Sequence, residues 1–145
     1  MLELIVTVVI TVSSVLMFGY WFRYTCMLIL SARTTRDYAA DIATANQLSF
    51  LQVQSELREN SADFDRLKTS LDRDLAVLTN LVQNASEWGM EDRMLKLNYQ
   101  LMSAWCSVSK RFSIEEGRRA MDEMSMIVSH FANSLGERAA VGAAA

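Results

Sequence analysis

The side chains best suited to chemistry are few, and the sharpest pair is Met126 with His130. A methionine and a histidine four residues apart on a helix can both reach a haem iron or a copper ion. At about 100° per residue, however, Met126 points away from the apolar stripe of this segment and His130 lies well to one side of it. Metal sites in helical bundles are built from inward-facing residues. The pattern therefore favours a surface histidine, and we expect no cofactor or metal.

The remaining polar chemistry is equally sparse. Carboxylates mostly stand close together in the sequence, as at Glu115 and Glu116, and the Glu-x-x-His pattern of di-iron bundles is absent. Cys26 and Cys106 are too far apart to indicate a metal site or a disulfide framework, so both are predicted to be free thiols. The sequence also lacks a glycine-rich phosphate loop. We therefore predict a protein that is not an enzyme and has no small-molecule substrate.

Composition predicts the elements that carry these residues. The chain of 145 residues has no proline and five glycines, which favours long helices and an all-α fold. Its 14 basic and 17 acidic side chains are mixed along the sequence. A nucleic-acid binder needs a basic stripe, so binding to DNA or RNA is not expected.

Residues 1–32 are predicted to form a transmembrane anchor with an interfacial segment. The uncharged stretch from Leu4 to Phe22 covers roughly 28 Å as a helix, close to the thickness of the hydrocarbon core. A cleaved signal peptide is the alternative, but the residues before this stretch carry only Glu3 and no basic side chain. Basic residues follow the span, so the positive-inside rule predicts a single-pass protein with its N-terminus outside and the rest in the cytoplasm.

Several residues are predicted to lie at the membrane interface, where aromatic rings and basic side chains concentrate. They are Tyr20, Trp21, Arg23, Tyr24, Arg33, Arg36 and Trp88. For Arg23 two interpretations stay open, since its side chain can reach lipid phosphates or pair with an acidic group of a neighbouring subunit. Within the span, Thr7, Thr11 and Ser14 form a small polar stripe. It indicates either helix packing in lipid or hydroxyls bonded to their own helix.

The remaining chain predicts an antiparallel, up-and-down bundle of about four helices over residues 33–136, followed by a flexible tail over 137–145. The helices are expected at about 33–59, 62–86, 90–111 and 114–135, and the first is expected to continue the transmembrane helix as one rod. Ser61 and the Ser113-to-Glu116 capping box indicate helix starts, and Gly136 indicates a helix stop.

Apolar spacing of three and four predicts the core of this bundle. The predicted core residues are Leu71, Leu78, Leu97, Leu101, Trp105, Met121, Met124, Val128 and Phe131. The helix at 90–111 carries a second apolar row through Leu95, Tyr99, Met102 and Cys106, so we expect it to be the most buried helix.

The place of Trp88 depends on the antiparallel path. If the rod at 33–59 and the returning helix are equally long, Trp88 ends level with Arg33 at the lipid headgroups. The alternative is a tryptophan that caps the core of the bundle itself.

The function that fits this architecture best is non-enzymatic assembly. We expect a membrane-anchored helical protein that contacts membrane lipid and either self-oligomerises or serves as an accessory subunit beside other membrane-protein subunits, with coiled-coil-like helix contacts. A signalling adaptor whose anchor is coupled to the bundle remains an alternative. So does a redox or cofactor-binding membrane subunit, which would depend on His130 and the methionines.

Overall fold

The computed structural model describes residues 1–32, 37–59, 63–85 and 88–144. These residues form six helices and no strand: α1 (Leu2–Ser31), α2 (Ala39–Asn46), α3 (Phe50–Arg58), α4 (Phe64–Ala85), α5 (Met90–Ser109) and α6 (Ile114–Ala144). The all-α prediction is confirmed. The chain divides into two compact units, Met1–Ala32 and Arg33–Ala145, each described by itself.

The first unit consists of α1. This is the one helix in the described part of the chain that is long and apolar enough to cross a membrane. It ends at Ser31, where Ala32 takes an extended conformation and its N–H still donates to the carbonyl groups of Leu28 and Ile29. The prediction that α1 runs on as one rod to residue 59 is therefore wrong.

In the second unit, a turn at residues 47–49 separates α2 from α3 and interrupts the predicted rod a second time. Gln47 adopts a left-handed conformation with φ of 54°, and the Leu48 N–H donates to the Ala43 carbonyl at 2.9 Å. A side chain other than glycine resists this conformation by about 1–2 kcal/mol. Contacts from α4 hold the turn, because Asp74 accepts a hydrogen bond from the Ser49 N–H at 2.6 Å and Arg73 donates to Ser49 Oγ at 2.8 Å.

The centre of the second unit is α6, against which α2, α3, α4 and α5 all pack. Its buried side chains recur every three or four residues through Met121, Met124, Val128 and Phe131. From α4 the core receives Leu71 and Leu78 among others, and from α3 it receives Phe50, Val53 and Leu57. The prediction that the helix at 90–111 is the most buried is wrong, since the last helix occupies that position.

The helix α6 does not stop at Gly136, and residues 137–144 continue it in place of the predicted flexible tail. Gly136 is buried inside the helix, and a Cβ atom added there would overlap the Cβ of Tyr38. The glycine therefore permits a close approach, which the Tyr38 N–H strengthens by donating to Asn133 Oδ1 at 2.7 Å. Beyond it, Arg138 pairs with Asp92 at 3.0 Å, and the alanines that follow are strong helix formers.

Candidate functional site

The most distinctive surface of the second unit is an apolar row on the outside of α5, which we call the outer row. It consists of Leu97, Leu101, Trp105, Val108 and, just past the helix end, Phe112. Their side chains are 49%, 48%, 49%, 52% and 84% exposed. The spacing of three and four residues places them on one face. Leu97, Leu101 and Trp105 were predicted to be core residues, and for the chain alone that prediction is wrong.

The opposite face of α5 explains this orientation. Leu95, Tyr99 and Cys106 are buried, so it is the second apolar row that faces the rest of the unit. Tyr99 donates a hydrogen bond from its hydroxyl to Asp72 of α4 at 2.7 Å, and Cys106 Sγ lies 3.6 Å from the Gly117 carbonyl of α6. Burial raises the pKa of both Tyr99 and Cys106, so the thiol stays protonated and unreactive at neutral pH.

Beside the first turns of α5 lies a groove of about 590 Å³, which we call the polar groove. It is lined by Gln83, Trp88, Arg93, Lys96, Leu97 and Gln100. Its size falls within the roughly 300–1,000 Å³ of ordinary ligand sites. Among the described residues, the lining includes two cations, two side-chain amides and an indole, and none of these residues is a carboxylate. The polar groove can therefore bind a negatively charged group that accepts hydrogen bonds.

Trp88 connects this groove to the core of the unit. Its ring lies 6.1 Å from the ring of Phe131, a buried residue of α6, and Lys96 Nζ lies 5.2 Å from the Trp88 ring centroid. The contact with Phe131 agrees with the alternative in which Trp88 caps the core. The equal-height argument for placing Trp88 at the headgroups loses its basis, because the rod at 33–59 does not exist.

Met126 and His130 have different surroundings in the structure. Met126 is 38% exposed, whereas His130 is partly buried with its ring edge-on to Phe131 at 6.5 Å. Burial lowers the pKa of His130, against the opposing effect of Asp92, Glu91 and Glu137. Across the described ranges, no three His, Cys, Asp or Glu side chains come close enough together to hold a metal ion.

Two buried carboxylates serve the fold. Asp92 accepts a hydrogen bond from the Gly89 N–H at 3.1 Å at the start of α5 and also pairs with Arg138. Asp74 holds the turn between α2 and α3, and burial raises its pKa although the Ser49 N–H and Arg73 act in the opposite direction. These groups stabilise helix ends and turns, which accounts for their position inside the unit.

In α1, the threonine hydroxyls bond to their own helix. Thr7 donates to the Glu3 carbonyl and Thr11 donates to the Thr7 carbonyl, each at 2.8 Å. This agrees with the second interpretation of the polar stripe for these two residues. At the other end of the helix, the rings of Tyr20 and Tyr24 stack at 6.4 Å.

Of the other predicted interface residues, two are described by the structure and two are not. Trp21 is 55% exposed, and Arg23 is partly buried. Arg33 and Arg36 lie outside the described residues.

The polar groove was missed by the sequence analysis. A signal was available, because Arg93 and Lys96 stand three residues apart on one helix and follow a tryptophan closely in the sequence. The outer row was recognised as apolar, but three of its residues were predicted to lie in the core instead of on the surface. Comparison of the chain with protein-family models, with curated proteins and with solved structures finds no match.

Proposed function

We propose that this chain is a non-enzymatic, single-pass membrane protein that works by assembly, and that copies associate through the outer row of α5. The observation that supports this is the exposure of five large apolar side chains on one continuous face. Soluble surfaces rarely keep apolar patches of this kind uncovered unless a partner covers them.

A second copy of the chain is the partner that the charges favour. At about 100° per residue, Arg93 lies to one side of the outer row and Glu91 to the other. On the Glu91 side, Asn98 also donates a hydrogen bond to Glu123 of α6 at 2.9 Å. Two α5 helices packed in parallel bring unlike sides together, whereas an antiparallel pair brings like sides together. Copies inserted in one membrane also share one orientation, which suits the parallel pair.

Membrane insertion is part of the same proposal. The length and apolar character of α1 support a span, and the basic residues that follow it, beginning with Arg23, support a cytoplasmic second unit. A thiol introduced at residue 2 is expected to react with a membrane-impermeant reagent added from outside the cell. Reaction from the cytoplasmic side alone would reverse the topology.

The assembly is tested by measuring the mass of the full chain in a mild detergent. We expect a dimer or larger oligomer, and Leu101→Asp is expected to reduce it to a monomer with unchanged helix content. The matched control is Leu51→Asp, because Leu51 is similarly exposed at 41% but lies on α3 outside the row. A monomeric unmodified chain would contradict the proposal. A different protein that co-purifies and is lost in Leu101→Asp would assign the row to an accessory-subunit contact.

A further inference from the structure

We propose that the polar groove binds the phosphate of an anionic phospholipid headgroup. The proposal rests on insertion of α1 into a membrane. It does not require self-association through the outer row. The residues that carry it are Trp88, Arg93 and Lys96, together with the amides of Gln83 and Gln100.

The two cations of the groove are available for an anion. Neither Arg93 nor Lys96 forms an ion pair with a carboxylate in the described part of the chain. By contrast, Lys110 pairs with Asp65 at 2.5 Å and Lys68 pairs with Asp72 at 3.5 Å. A phosphate between Arg93 and Lys96 accepts charge-assisted hydrogen bonds, which are about twice as strong as neutral ones. A negative headgroup is therefore the ligand that this charge distribution favours.

Trp88 gives the groove an aromatic wall. Its ring lies 6.1 Å from the ring of Phe131, and Lys96 Nζ lies 5.2 Å from its centroid. Its Nε1 atom is buried and therefore does not meet a ligand in the groove. The donors that a phosphate meets are the side chains of Arg93, Lys96 and the two glutamines beside this wall.

The apolar surroundings favour a lipid over free phosphate. Leu97, whose side chain is 49% exposed, lines the groove itself, so an acyl chain attached to a bound headgroup can lie against it at the edge of the groove. A protein inserted in a bilayer also encounters phospholipid at high local concentration. A soluble phosphate ion gains only from the polar side chains of the groove, whereas a phospholipid also gains from contact with Leu97.

The experiment uses the full chain in a non-ionic detergent, with Trp21→Phe and Trp105→Phe so that Trp88 is the only tryptophan. Short-chain phosphatidylglycerol is titrated against Trp88 emission, with short-chain phosphatidylcholine and inorganic phosphate as comparisons. We expect a saturable change with phosphatidylglycerol at a concentration at least tenfold lower than with either comparison ligand. Equal responses to phosphatidylcholine, or a stronger response to inorganic phosphate, would overturn the assignment to an anionic lipid.

Charge variants test whether the groove is the site. Lys96→Gln is expected to weaken the phosphatidylglycerol response at least tenfold, whereas Arg111→Gln, which removes an exposed cation outside the groove, should leave it unchanged. Equal effects of the two variants would indicate non-specific attraction and overturn the proposal, as would an acidic protein segment that displaces the lipid with higher affinity.

Failure of the lipid site and failure of assembly are separated by measuring both properties in both variants. Leu101→Asp is expected to keep lipid binding and lose the oligomer, and Lys96→Gln is expected to keep the oligomer and lose lipid binding. Loss of lipid binding in Leu101→Asp would overturn the independence of the groove from the outer row.

Discussion

The helices α5 and α6 carry similar apolar spacing, but the fold uses them in opposite ways. In α6 the predicted row through Met121, Met124, Val128 and Phe131 is completely buried, because four other helices pack around it. In α5 the predicted row is half exposed, and a second row with polar partners faces inward. A three-and-four spacing therefore identifies an apolar face of a helix, but it does not show whether other helices of the same chain bury that face.

The largest expected effect is on the free energy of unfolding, when one apolar side chain is removed from the row on α6 and another from the row on α5. Phe131→Ala removes a fully buried ring from α6 and should lower the free energy of unfolding by about 3–5 kcal/mol. Leu101→Ala on the outer row should cost less than about 1 kcal/mol when measured on the monomer, because its side chain already meets solvent. Urea unfolding followed by circular dichroism measures both. Equal costs would mean that the two rows are equally buried and that the orientation of α5 is wrong.

An intermediate effect is expected at Gly136, where α6 is closely approached by Tyr38. Gly136→Ala forces a methyl group into the position of the Tyr38 side chain and should lower the free energy of unfolding by about 1–3 kcal/mol. The matched control is Gly142→Ala in the same helix, where no atom lies within 4 Å of the added Cβ. That change should stabilise the chain by about 0.5–1 kcal/mol. Thermal unfolding distinguishes the two signs, and a stabilising Gly136→Ala would contradict the close packing.

The smallest expected effect concerns the buried carboxylate that connects α4 to the turn before α3. Burial raises the pKa of Asp74 above its ordinary value of 3.8, so the folded chain binds a proton there more readily than the unfolded chain. The stability that this proton contributes is fully present below the ordinary value and is lost as pH rises through the folded-state pKa. Relative to Asp74→Asn, the unmodified chain should therefore become less stable as pH rises from the ordinary value of 3.8 through the folded-state pKa.

The measurement is the difference in unfolding free energy between these two chains at several pH values, in which the contributions of the other carboxylates largely cancel. A difference that does not change with pH would show that burial does not raise the pKa of Asp74 in the folded chain.

Local sequence signals predicted the class of this fold and the long apolar helix α1, because composition and apolar runs act within a single helix. They failed where contacts between residues far apart in the sequence determine the local structure. Gln47 carries no glycine or proline signal, and its turn is held by Asp74 and Arg73 from another helix. Gly136 has the sequence signature of a helix stop, but in the structure it allows the side chain of Tyr38 to pack closely against α6.

The candidate site was predictable only in part for the same reason. The outer row was visible as an apolar stripe, but its exposure depends on Tyr99 and Cys106 turning the other face of α5 inward. The polar groove joins Gln83 of α4 to residues of α5, and no spacing along the sequence connects them.

The position of α6 at the centre also sets an order for making the protein. A ribosome synthesises α2, α3, α4 and α5 before the helix on which all four pack. Their core-facing side chains stay uncovered until α6 has been synthesised, and the short helices α2 and α3 have little helical stability of their own during that time. Newly made chains therefore expose their core side chains to chaperones and proteases for longer than a bundle assembled in sequence order.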